Sequence, residues 1–182
     1  MFLSLTLLPG YWLMQAPTRN HTPVTFRIRD FDPTTDEAAA LAFILDSQVY
    51  EHAIAPDRRL DAAVAAEHYA ALMPHVAANR GCGFIAEAEG RAIGWAAFFV
   101  QQGLVYLVPE ARTSGYIAEL FVEGPARGQG VGRALIAACE EAARELGLTQ
   151  IRIGHLTGNR RAAEIYARAG YAPYTSELRK AL

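Results

Sequence analysis

Residues 116–135 read Tyr-Ile-Ala-Glu-Leu-Phe-Val-Glu-Gly-Pro-Ala-Arg-Gly-Gln-Gly-Val-Gly-Arg-Ala-Leu. Tyr116 to Val122 is apolar apart from Glu119, the composition of a strand. From Val131 the period changes. Val131, Leu135, Cys139, Ala142 and Leu146 recur in steps of three and four, one face of an α-helix, and Gly147 is placed to end it. The connection is Arg127-Gly128-Gln129-Gly130-Val131-Gly132. A helix N-terminus offers unpaired N–H groups and the positive end of the helix dipole, so it attracts phosphate. Glycines let the backbone approach the anion and adopt unusual dihedrals. Two common phosphate loops are excluded by spacing. A nucleotide P-loop needs Gly-Lys-Ser/Thr, but Gly132 is followed by Arg133-Ala134. A dinucleotide fingerprint needs a third glycine where Arg133 stands. A plain glycine-rich β-α turn is the alternative reading of the loop.

Working outward, Val24 to Arg29 alternates like a half-buried strand, broken by Asp32-Pro33. Thr35 to Tyr50 predicts a helix with Thr35 or Asp36 near its cap, and Leu60 to Met73 a second one ended by Pro74. Phe84–Glu87 and Ala92–Val100 predict strands joined at Glu89-Gly90. Gln101 to Gly115 is a long connection in which Val105–Val108 extends the strand. Downstream, Gln150–His155 predicts a strand, Asn159–Ala169 a helix closed by Gly170, and Tyr174–Leu178 a last strand. The order β-α-α-β-β-β-α-β-α-β predicts one α/β domain over residues 24–182, a mixed and mostly antiparallel sheet flanked by helices. Residues 1–23 are expected to be an extension outside that core. Met1–Met14 (MFLSLTLLPGYWLM) is apolar but shorter than the ~20 residues of a membrane span. It also has no Lys or Arg before Arg19, as a secretory signal would need.

The composition is that of a globular chain, 52% hydrophobic and 20% charged over 182 residues. A net charge of -2 gives no bulk attraction to nucleic acid or anionic membrane, so neither is an expected partner. Two cysteines, Cys82 and Cys139, are too few for a disulfide framework, and a reduced, cytoplasmic setting is expected. Cys139 lies on the apolar helix stripe, whereas Cys82 between two glycines reads as a turn or solvent cysteine. His21, His52, His68, His75 and His155 form no metal-ligand spacing, so no metal is expected.

Arg127-x-x-Gly-x-Gly after Ile117-Ala-Glu-Leu-Phe-Val122 resembles the GNAT superfamily of acetyl-CoA-dependent N-acetyltransferases. A second motif agrees: Asn159-Arg-Arg-Ala162-Ala-Glu-Ile-Tyr166, then Ala169-Gly170-Tyr171, is similar to that family's Asn-x-x-Ala-x-x-x-Tyr stretch with its closing Gly-aromatic pair. The tight match covers Tyr116 to Tyr171, and the element order extends it back to about Val24.

The resemblance implies the following roles. Backbone N–H groups of Gly128, Gln129, Gly130, Val131 and Gly132, with Arg127 and Arg133 nearby, bind the pyrophosphate of acetyl-CoA, the co-substrate. From Arg127 to Arg168 seven Arg stand against four Glu, which suits a polyphosphate ligand, although Arg144 and Arg168 read as solvated helix charges. The strand diverges from its neighbour around a bulge. The pantetheine arm then pairs with the backbone of Leu120, Phe121 and Val122, where a free N–H can stabilise an oxyanion by roughly 3 kcal/mol. Asn159 caps its helix and contacts the pantetheine amide, with Ala162 beside it. Tyr166 is the acid for the departing thiolate. The acceptor is expected to be a primary amine of a small molecule, attacking directly in a ternary complex. A protein amine, or a non-catalytic CoA-binding module, is the alternative. An alkylamine must first lose a proton, at a cost of roughly 4 kcal/mol near neutral pH. Glu119 is the leading base, against a salt-bridged or solvated position, and Tyr116 and Glu123 are lesser ones. Alternation puts Glu119 and Phe121 on one face of the sheet, and sequence leaves open which face meets substrate.

Asp36 to Glu67 holds seven acids against Arg58 and Arg59, a balance that steers a cationic amine or merely solvates two helices. Tyr50, Glu51 and His52 are singled out at the acceptor, with Tyr106 as an apolar wall and Trp95 in the core. Dimers are common in the family, and a homodimer pairing through the expected Tyr174–Leu182 strand is the implied assembly.

Overall fold

The computed structural model describes residues 24–181, so the expected extension at 1–23 lies outside the described residues. Strand β1 is Arg27–Asp30, shorter than the alternation from Val24 predicts. Val24, Phe26 and Ile28 still face the core together. Val24 spends its N–H on the Gln129 side chain at 2.6 Å, not on a neighbouring strand.

Helix α1, Pro33–His52, starts two residues before the expected cap. Asp32 is the cap, its carboxylate accepting from Thr34 N–H at 2.8 Å, and Pro33 fits the first turn because its missing N–H is not needed there. Asp36 is buried in the first turn, bonded by Arg29 at 2.6 and 2.8 Å. Arg29 also reaches Glu87 at 2.7 Å, which ties α1 to the first two strands. Helix α2, Ala62–Ala78, runs through Pro74 instead of ending there. An interior proline costs ~3 kcal/mol. Burial of Leu72 and Val76 on the two sides of it offsets that at about 1.5–3 kcal/mol each.

Strands β2 (Cys82–Ala88) and β3 (Arg91–Gln102) form the expected hairpin. The next connection corrects the expectation at Val105–Val108, which is not strand. It is an exposed loop, with Arg112 Nη2 donating to the carbonyls of Val105 and Leu107 at 2.7 and 2.9 Å, followed by the one-turn helix α3, Pro109–Arg112. Strand β4 is Thr113–Val122, helix α4 Val131–Glu145, strand β5 Ile151–Ile153 and helix α5 Arg160–Arg168. The sheet order is β1-β2-β3-β4-β5, antiparallel except for the parallel β4–β5 pair.

The expected last strand at Tyr174–Leu178 is absent, and with it the edge proposed for dimer pairing. β5 offers only three residues to pair with, and Pro173 at the start of the tail has no N–H to donate. Side chains hold the tail instead: Arg152 lies over the Tyr174 ring at 4.5 Å, and Arg179 pairs with Asp57.

Two cores sandwich the sheet. On one face α1 and α2 bury Phe43, Ile44, Leu72 and Val76 against Ile85, Trp95 and Phe121. On the other, α4 buries Val131, Leu135, Ile136 and Cys139 against Ile93, Phe98 and Ile117. Cys139 and Trp95 are core residues, as expected.

Candidate active-site cleft

The cleft exists because two parallel strands part company. β4 and β5 pair only at Gly115–Ile151, Tyr116–Arg152 and Ile117–Ile153, yet β4 continues to Val122. Beyond Ile117 no strand of the described residues lies beside its backbone edge. On the other side, β4 stays paired with β3, but the register slips: Ala97 faces Glu119 and Phe98 faces Ile117, leaving Ala118 as an extra residue. This is the bulge, and it bends β4 away from β5. A cleft of about 640 Å³ opens in the gap.

The bulge settles which way Glu119 points. Glu119 and Phe121 lie on the face covered by α1 and α2, where Phe121 packs on Phe43 at 5.7 Å between centroids and Glu119 meets His68 of α2 at 2.6 Å. Leu120 and Val122 pack toward α4. Glu119 is only 14% exposed and lines the cleft.

After β4, the chain makes a 3-10 turn at Gly124–Ala126 and enters the glycine loop. Gly128 and Gly130 have φ of 82° and 89°, a region that costs other residues ~1–2 kcal/mol. Gly130 caps α4 without a side-chain hydrogen bond, so the first N–H groups of the helix stay available to an anion. Gly128 and Gly132 line the cleft. Val131 is buried at 1% exposure, so only its backbone can take part. The Gln129 side chain faces away, accepting from Val24 N–H and donating to the Pro125 carbonyl at 3.0 Å. Arg133 is exposed and does not line the cleft.

Arg127 turns inward. Its guanidinium lies over the rings of Tyr50 and Phe121 at 5.1 and 5.2 Å, and its Nε donates to the Val122 carbonyl at 2.6 Å. Burial, then the positive charge of Arg161, pulls its pKa below the ordinary arginine value. Arg161, in the first turn of α5, lines the cleft. In the sequence Arg161 stands out only as one of seven Arg from Arg127 to Arg168; its place two residues after the helix cap is the signal that marks it.

Asn159 caps α5 through Oδ1, which accepts from Ala162 N–H at 3.1 Å, and the Tyr50 hydroxyl lies 3.4 Å from the same oxygen. Ala162 and Tyr166 line the cleft. The Tyr166 ring packs near His155 and Tyr171 at 5.8 and 6.2 Å. Burial pushes its hydroxyl pKa up to about 12, and the nearby charges of Glu51, Tyr116 and Glu119 add to the rise. At neutral pH the phenol is protonated and can donate.

One ion pair, Glu51 with Arg58, lines the cleft, and further pairs stand behind it. Glu51 accepts from Arg58 at 2.8 Å, Arg58 also reaches Asp57 at 2.7 Å, and Asp57 holds Arg179 of the tail. Glu177 of the tail, Tyr50, Glu51 and Tyr116 line the cleft. His52 does not; its Nδ1 meets the Arg58 carbonyl at 2.9 Å. Nor does Glu123, which pairs with Arg91 at 2.5 Å. Tyr106 is 78% exposed on the β3–β4 loop and forms no wall. The acid count also overstated the field. Asp36 is spent on Arg29, and Asp61 and Glu67 on Arg59. Cys82 is a half-buried strand residue, not a turn cysteine, and burial raises its thiol pKa. Among the described residues, no cluster of three His, Cys, Asp or Glu could hold a metal ion, and no helix is long and apolar enough to cross a membrane.

The cleft therefore joins a helix terminus with free N–H groups, an open strand edge, a carboxylate and a protonated phenol. Proteins of known structure share the architecture. Over 87% of this chain and 100% of that one, it superposes on a transcriptional regulator from Bacillus halodurans C-125 with TM-score 0.66 and 17% identity. It is similar to a predicted acetyltransferase with acetyl-CoA from Clostridium acetobutylicum, with TM-score 0.64, 18% identity, and 86% and 96% of the two chains covered. The aminoglycoside N-acetyltransferase AAC(6')-Iy, in complex with a bisubstrate analogue, matches with TM-score 0.62, 19% identity, and 87% and 99% coverage. At these identities the likeness establishes the fold. No curated protein sequence matches this chain. The family model described as acetyltransferase (GNAT) matches residues 46–171, from the middle of α1 through the closing Gly170-Tyr171, and the chain belongs to that family.

Proposed function

We propose that this protein transfers the acetyl group of acetyl-CoA to a primary amine of a small molecule, by direct attack in a ternary complex. The observation that carries the reading is the open edge of β4 between the glycine loop and the Glu119–Tyr166 pair.

The N–H groups at the start of α4, with Arg161 across the cleft, hold the pyrophosphate. The backbone of Leu120 to Val122 pairs with the pantetheine amides as a missing strand would, and a free N–H there polarises the thioester carbonyl. Glu119 takes the proton from the substrate ammonium, and the amine nitrogen attacks the carbonyl carbon. The C–N bond forms, and the C–S bond breaks with its electron pair leaving on sulfur. The second proton of the nitrogen passes to that sulfur directly or through water, and Tyr166 donates a hydrogen bond to the departing sulfur. A phenol near 12 lies about 3.5 units above an ordinary thiol, so complete proton transfer would be uphill by roughly 5 kcal/mol. Tyr166 thus stabilises the forming thiolate without surrendering its proton.

A small acceptor is favoured by the Glu51–Arg58 ion pair that lines the cleft, with Asp57 and Arg179 of the tail paired behind it. A thiol-release assay over a panel of polyamines, aminoglycosides, arylalkylamines and lysine peptides tests this. Turnover above background with a small amine is the expected result. Turnover confined to peptides would reassign the acceptor, and acetyl-CoA binding without turnover on any amine would leave a binding module.

A further inference from the structure

Glu119 has a partner outside the cleft. His68 projects from α2, and its Nε2 lies 2.6 Å from Glu119 Oε1. His68 does not itself line the cleft. Its side chain is 39% exposed, so one end of the ring meets Glu119 and the ring reaches water. Among the described residues no group bonds Glu119 Oε2. One carboxylate oxygen is thus gripped from behind and the other is left to the cleft.

The charged groups around this contact are few. On α2 itself, Glu67 is turned away to Arg59 at 2.5 Å. Glu119 is the charge that acts on His68, and it raises the imidazole pKa above the ordinary value of 6.5. On the cleft side, Glu119 lies near enough to Tyr166 of α5 to act on its hydroxyl, and Tyr116 and Glu51 act on that same hydroxyl.

We propose that His68 is a positioning residue for acetyl transfer. It fixes the Glu119 carboxylate so that Oε2 faces the incoming amine, and its charge state tunes how strongly that carboxylate attracts a proton. This rests on Glu119 acting as the base. A free glutamate samples several rotamers on its long side chain, and misplacing a reacting group by ~1 Å can cost about 100-fold in rate. While His68 is an imidazolium it stabilises the carboxylate anion and weakens it as a base. When His68 loses its proton, Nε2–H still donates but the charge is gone, so the base strengthens as pH rises through the raised histidine pKa.

Steady-state kinetics of His68→Ala, His68→Gln, Glu119→Gln and the double variant test this, with acetyl-CoA and the fastest amine of the panel. His68→Ala should lower kcat roughly 10- to 100-fold, leaving KM for acetyl-CoA and the acetyl-CoA thermal shift unchanged. His68→Gln keeps an N–H donor without a titrating charge. It should recover most of the neutral-pH rate and lose the low-pH inflection of kcat. His68→Ala placed on Glu119→Gln should cost nothing further. Full kcat and an unmoved pH profile in His68→Ala, with Glu119→Gln crippled, overturns the positioning role and keeps the base. Full rate in Glu119→Gln overturns the base reading itself. Independent, multiplying losses in the double variant would show that His68 acts by another route.

Discussion

The two ends of the cleft are built from different materials. At the end proposed for the donor the groups are backbone: the N–H groups opening α4, the edge of β4 beyond Ile117, and two left-handed glycines that shape the loop. At the end proposed for the acceptor they are side chains, and those are engaged with their neighbours, Glu51 with Arg58, Arg58 with Asp57, and Asp57 with Arg179. A site made of backbone is committed to one ligand geometry. A site made of ion pairs can change its specificity by exchanging partners. This is why the donor is nameable from this chain and the acceptor is not.

Substitutions at each end should part along the same line. The largest effect is expected where the two ends meet. Glu119→Gln should reduce kcat by about 10²- to 10⁴-fold while acetyl-CoA still raises the melting temperature. Loss of that shift would mean Glu119 supports the donor site instead. Next, Asp36→Asn should lower stability by roughly 2–3 kcal/mol, less than for a fully buried pair because Arg29 is partly exposed. KM for the amine should not move. Hydrogen bonding from Arg29, together with the backbone N–H of Asp32, holds the Asp36 carboxyl below the usual range. The wild type should therefore keep this stability above pH ~4 and lose it as pH falls further, whereas the variant should lack that acid-dependent step. Urea denaturation at pH 7 and pH 3 reads both. If Asp36→Asn raised the amine KM with stability intact, the acids of α1 would be steering substrate after all.

Gly130→Val comes third. Forcing a β-branched residue to φ 89° should cost about 1–2 kcal/mol in the loop, read as a roughly tenfold rise in KM for acetyl-CoA with the amine KM unchanged. Last is Arg179→Ala. The pair it breaks is exposed and screened, so at most a two- to threefold change in amine KM is expected, fading in 0.5 M salt. A large effect there would make the tail a true part of the acceptor site.

The same contrast sets what could be read in the sequence. The β4–loop–α4 turn and the Asn159 cap were legible because left-handed turns, phosphate loops and helix caps leave a glycine or an asparagine at a fixed offset. Trp95 and Cys139 were legible as core because periodicity governs burial. The strand expected at Tyr174 was wrong, because a β-type composition says nothing about whether a partner strand is long enough to receive it. Pro74 misled because burial of Leu72 and Val76 outweighed a local rule. The resemblance implies a bulge in this strand, but its place at Ala118 and the His68–Glu119 contact are not legible in the sequence. One depends on register against β3, and the other joins residues 51 apart in the chain.

The most direct test of the donor end is thermal denaturation with and without acetyl-CoA, in the wild type and in Gly130→Val. At a concentration 100-fold above Kd, binding should stabilise the wild type by ~2.7 kcal/mol, a rise in Tm of about 5–10 °C for a domain of this size. At that same concentration Gly130→Val should show a clearly smaller rise. No shift in the wild type, or an equal shift in both proteins, would contradict a cofactor site built on the Arg127–Gly132 loop.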